Sequence, residues 1–165
     1  MNLIDNVDNV VHIIPKRKIG FTQADYQTKI YNVGEYLENL VKNLIRKDEP
    51  SEINKSMERL FFFIDRYPEN PYSQFGYALF ILTQQEDSEY RYQIAREYVE
   101  HGLCIDEKNV DGIDLNIRIF SYLIKIDKKY ISEAKKFIKK QLEITPDNSE
   151  LITYLKNIEE EENDN

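Results

Sequence analysis

Cys104 and His101 stand three residues apart, close enough on one helix face to suggest a nucleophile beside its base. A working pair also needs an orienting group and a cleft. Cys104 lies between Leu103 and Ile105 near a helix end, which reads as a buried, inert thiol. Asp111 and Asp114 are one helical turn apart, a spacing that solvated helix faces carry routinely, and His12 has no companion. The chain has no Gly-rich phosphate loop, and the acidic end "EEEENDN" offers carboxylates without a fixed geometry for a metal. The expectation is a protein with no catalytic residues, no cofactor and no metal site.

The elements that would position any site follow from composition and period. At 165 residues the chain has the size of one domain and can bury a substantial core without staples. Five Gly and five Pro are few, so long regular elements are expected rather than a turn-rich β sandwich. A formal charge of −8 disfavours a nucleic-acid partner, which needs Lys and Arg clustered on one face, and "PKRK" at 15–18 is too short to overturn this. A single cysteine precludes an internal disulfide and suits a reducing compartment. The N-terminus carries Asp5 and Asp8 where a signal peptide would be basic. The longest apolar runs, such as "YALFIL" at 77–82, are too short for a bilayer. A cytoplasmic protein with no membrane partner is expected.

A repeat organises the rest. A step of 39 residues carries Pro68 to Glu107 to Pro146, and Asn70 to Asn109 to Asn148. The same step carries Ser56 to Ala95 to Ala134, Leu60 to Val99 to Ile138, and Ile64 to Leu103 to Leu142, an i, i+4, i+8 stripe on one helix face. Between these corners the apolar period is helical, with polar breaks at 46–52, 84–89 and 125–129. The spacing predicts about seven helices, as three hairpins closed by a single helix through Leu151, Ile152, Leu155 and Ile158.

The segment "AKKFIKKQLEITPDNSEL", 134–151, resembles the second half of a tetratricopeptide repeat: a small residue, a bulky apolar one four later, then a terminal Pro-x-Asn. "AREYVEHGLCIDEKN", 95–109, is similar with Glu107 in the proline's place, and "SMERLFFFIDRYPEN", 56–70, with Ser56 in the small place and Phe63 where a small residue is usual. The first halves depart from the pattern, lacking the usual tryptophan and Leu-Gly pair, and the units exceed the usual length by about five residues. Another helical-hairpin repeat such as HEAT therefore stays open, although Pro-x-Asn just past the second helix favours the tetratricopeptide type. The resemblance implies an all-α fold, a right-handed α-solenoid of stacked helical hairpins over residues 31–158. Residues 1–30 would be an N-terminal arm or leader and 159–165 an acidic tail.

In that family the first helix of each hairpin lines a concave groove that commonly receives a peptide or partner helix. The resemblance places Tyr36 and Leu40, then Tyr72, Phe75, Leu79 and Leu82, then Asp111, Asp114, Arg118 and Tyr122 in that partner-binding groove. The bland alternative is that the apolar members pack as core and Asp114 and Arg118 form an i, i+4 pair. Asn116 and Arg118 suggest the family's carboxylate clamp, and the neighbouring Asp111 and Asp114 argue against it. "NVVHIIP" at 9–15 and the basic residues after it read as an arm for a partner or for the protein's own groove, or as a simple leader. Two functions are expected from this architecture. One is a non-enzymatic protein-binding scaffold or adaptor; the alternative is a structural subunit of a homo-oligomer or larger assembly.

Overall fold

A computed structural model of the chain describes residues 23–84 and 88–163, following 23–32 and 163 as helical backbone alone. The described residues form eight helices and no strand: α1 (Gln23–Lys47), α2 (Pro50–Lys55), α3 (Met57–Arg66), α4 (Pro71–Leu82), α5 (Glu89–Ile105), α6 (Val110–Ile126), α7 (Tyr130–Ile144) and α8 (Ser149–Asn163). None of them is long and apolar enough to cross a membrane.

The 39-residue register is realised bond for bond at three corners. Helices α3, α5 and α7 end at residues 66, 105 and 144, and α4, α6 and α8 begin at 71, 110 and 149. At each end the next backbone N–H reaches back one turn: Tyr67 to the Phe63 carbonyl, Asp106 to Gly102, Thr145 to Gln141, at 2.9, 3.1 and 2.8 Å. A tight turn follows, closed by the N–H of Asn70, Asn109 and Asn148 on the carbonyls of Tyr67, Asp106 and Thr145. Proline is favoured at the second position of such a turn but not required, so Glu107 replaces it without changing the path. Each asparagine then caps the next helix, its side-chain oxygen accepting from the N–H of Tyr72, Gly112 and Leu151 at 2.9, 3.1 and 3.1 Å. A cap of this kind contributes about 1 kcal/mol.

The helix expected between Pro50 and Ile64 is broken at Ser56, which raises the count from seven to eight. Ser56 leaves helical geometry (φ −96°, ψ 3°), yet its N–H still bonds the Glu52 carbonyl and its own carbonyl still accepts from Leu60. The chain therefore bends there with its hydrogen bonds kept. The small-then-apolar stripe is buried in all three units: Ser56 and Leu60, Ala95 and Val99, Ala134 and Ile138. Each fully buried Leu, Val or Ile of this stripe stabilises the fold by about 1.5–3 kcal/mol.

Helix α4 sits at the centre, in contact with α1, α2, α3, α5 and α6. Its sequence, apolar almost all round, is what a surrounded helix needs. At the C-terminal end α8 packs on α7, burying Leu151 and Ile158. Within the stretch expected as an acidic tail, residues 159–163 continue α8 with Glu160, Glu161 and Glu162 exposed, and Glu161 meets Lys128 at 3.6 Å and Glu162 meets Lys135 at 2.7 Å. Lys135 on α7 and Lys128 in the turn before it give these carboxylates a reason to stay helical. Helix α1 begins at Gln23, inside the segment expected as an arm. The "NVVHIIP" and "KRK" segments lie outside the described residues.

Candidate functional site

The apolar half of the expected groove is core. Phe75 is wholly buried, Leu79 and Tyr72 nearly so, and Leu40 and Leu82 are half-buried against the core. The expectation that these residues form a ridge open to a partner is corrected, and two glycines explain why. A Cβ on Gly102 of α5 or Gly112 of α6 would lie 2.4 or 2.3 Å from the Phe75 ring, so their missing side chains are the space the ring fills. Tyr72 packs edge-on to Phe75 at 5.4 Å, and its hydroxyl donates to Asp111 at 2.8 Å. Burial, with Asp111 accepting that proton, pushes the Tyr72 phenol well above its usual range.

The charged half is engaged within the chain. Arg118 donates to the carbonyl of Ile45 at 2.9 Å and pairs with Asp48 and Asp114 at 3.3 and 3.2 Å. It thereby closes the C-terminal end of α1, where Asp48 turns the backbone through a left-handed conformation (φ 52°). Arg46 approaches Asp111 at 3.5 Å. Nearby, Glu38 accepts from Lys42 at 2.6 Å and from Asn70 at 3.1 Å. Partial burial would raise the Glu38 carboxyl, but these donors hold it below the ordinary value. The structure thus brings Asp111, Asp114 and Arg118 together with α1, but not with the exposed Tyr36 and Tyr122. Tyr36 accepts from Arg59 at 3.3 Å, and Tyr122 stacks on Tyr92 at 5.1 Å. Asn116 is fully buried and thus cannot serve a clamp.

A surface that the sequence reasoning missed lies between α3 and α5, floored by α4. Phe61 stands 4.9 Å edge-on from Phe80 and 6.1 Å from Tyr77, and Tyr77 meets Tyr98 edge-on at 4.3 Å. All four rings are half-buried. Burial, then the neighbouring Tyr77, raises the Tyr98 phenol. Among the described residues no hydrogen bond or ion pair joins α3 to α5 across this seam. The available signal was a second face of the same helices, since Tyr77 and Phe80 are i, i+3 on α4 and Phe61 adjoins the stripe residue Leu60.

Cys104 is exposed, correcting the expected buried thiol. Leu103 takes the inward register position on α5, and one residue further along the helix turns the thiol outward. His101 is exposed as well. Among the described residues no three His, Cys, Asp or Glu side chains are grouped to hold a metal ion. No family model, no curated protein and no solved structure matches this chain.

Proposed function

We propose that the chain is a non-enzymatic protein-binding scaffold or adaptor, built as a right-handed, tetratricopeptide-like solenoid. Its partner, an amphipathic helix or peptide, seats against the aromatic seam between α3 and α5 rather than in the first-helix groove. Support for the array comes from the corners, whose helix ends, turns and asparagine caps recur at one register. The observation that carries the binding site is the set of four interleaved, partly exposed rings, with no hydrogen bond or ion pair from α3 to α5 across them among the described residues. Aromatic anchors in partly desolvated clefts commonly dominate the energy of an interface. The first-helix face offers little beside it, because Arg118 and Arg46 already tie α1 to α6. The reading includes a protein partner in the cytoplasm and neither nucleic acid nor membrane.

The test uses the full chain as bait in its native cell, with Phe61→Ser, Tyr98→Ser and Arg118→Glu made separately. A partner held by the wild type should be lost from the two seam variants, with melting temperatures within a few degrees, and kept by Arg118→Glu. Unchanged capture by both seam variants would overturn the seam as the site. A wild-type dimer, measured by light scattering, that Phe61→Ser converts to monomer would instead establish the alternative, a homo-oligomeric subunit.

A further inference from the structure

Helix α7 carries Lys135, Lys136, Lys139 and Lys140 on a chain whose carboxylates outnumber its basic residues by 30 to 22. Most lysines around them are neutralised: Lys128 by Glu161, Lys129 by Glu89 and Asp127, Lys135 by Glu162. Lys136, Lys139 and Lys140 are exposed and have no carboxylate partner among the described residues. They line a shallow cleft of about 550 Å³ with Lys135, bounded by Glu143 and by Glu162 of α8.

This arrangement works against the helix that bears it. Lys135 with Lys139 and Lys136 with Lys140 are like charges at i, i+4, each pair destabilising by roughly 0.2–0.5 kcal/mol. Glu162 offsets Lys135, but Glu133, one turn before Lys136, is taken by Arg96 at 2.6 Å. Glu143, one turn after Lys139, pairs with neither Lys139 nor Lys140 among the described residues, so three ammonium groups stay open to an acidic ligand. The net charge of −8 does not cancel the patch, since charges beyond about 8 Å are largely screened at physiological salt.

We propose that the lysine face of α7 is a docking site for an acidic segment of a partner protein. Lys136 and Lys140 are one turn apart, a rise of about 6 Å. Alternate residues of an extended peptide are spaced about 6.6–6.8 Å, so carboxylates at every second position meet both ammonium groups in succession. Glu143 and Glu162 share the lining and would repel the continuous phosphates of a lipid sheet or nucleic acid, whereas a peptide can present its carboxylates to the lysines alone. None of the exposed large apolar residues lies on α7 to anchor a membrane.

The aromatic seam is on other helices, so the two surfaces can be tested separately. The probe is a fluorescein-labelled peptide of alternating Ser and Glu, titrated against the full chain by anisotropy at about 50 and 200 mM salt. The triple variant K136E/K139E/K140E should weaken binding by roughly tenfold or more and flatten the salt dependence. A control of equal charge change on exposed lysines elsewhere, K47E/K108E/K156E, should weaken it by less than about twofold. Thermal melts check both folds, and the Lys→Gln triple replaces the first variant if reversal unfolds it. Equal loss in the two triples, no binding by the wild type, or tighter binding of phosphatidylserine vesicles or a single-stranded oligonucleotide would each overturn the assignment.

Discussion

Two seams join successive second helices of the repeat, and they are closed in opposite ways. Between α5 and α7, Arg96 reaches Glu133 at 2.6 Å, Glu89 accepts from Lys129 at 2.6 Å and from the Tyr130 hydroxyl, and Gln93 donates to that same hydroxyl. Beneath them Arg96 lies over the Phe120 ring at 5.3 Å. Between α3 and α5 the corresponding seam instead holds Phe61, Tyr77, Phe80 and Tyr98, packed on one another and partly open to solvent. Their counterparts one repeat later are Glu100, Asn116, Ile119 and Phe137. Long polar side chains can span a gap between helices and satisfy themselves across it. Rings cannot, and leave apolar area for another molecule to cover. This difference is the reason the proposed partner is assigned to the first seam.

The largest expected effect tests whether the aromatic seam is surface at all. Phe75, with no exposed area, sets the scale for a true core ring, and Phe75→Ala should cost about 3–5 kcal/mol in denaturant unfolding. Gly112→Ala should follow at about 1–3 kcal/mol, because its new methyl collides with the same ring. On the bridged seam, Arg96→Ala should cost about 1–2 kcal/mol through lost packing on Phe120 and the lost bond to Glu133. On the open seam, Phe61→Ser should cost only about 1–2 kcal/mol, since part of its ring is already in water. A loss for Phe61→Ser as large as that for Phe75→Ala would erase the distinction between the seams.

The smallest effect concerns a carboxylate in the bridged seam. Burial, then the charges of Glu133 and Glu97, raises Glu100 above the ordinary 4.5 despite Arg96 and Asn116. The folded state therefore takes up this proton more readily than the unfolded chain. Stability falls as pH rises from the ordinary value through the raised one, and the loss persists at neutral pH. Glu100→Gln should raise the melting temperature slightly at pH 7, and the gain should vanish below about pH 4. A gain that persists in acid would mean that the charge is not its source.

What was legible in the sequence was local. The corners could be read because a turn, a reach-back hydrogen bond and an asparagine cap involve residues within one turn of each other, and their repetition at 39 residues multiplied the signal. The Ser/Ala-then-aliphatic stripe could be read for the same reason, a helix face being a matter of period. The candidate groove depended on partners remote in the chain. Whether Phe75 faces a groove or the core was decided by the absence of side chains at Gly102 and Gly112, on two other helices. Whether Arg118 is free for a partner was decided by the Ile45 carbonyl, 73 residues away. Periodicity by itself says which residues share a face of a helix. Only the packed structure decides what that face meets, because burial is set by neighbours that the local pattern does not contain.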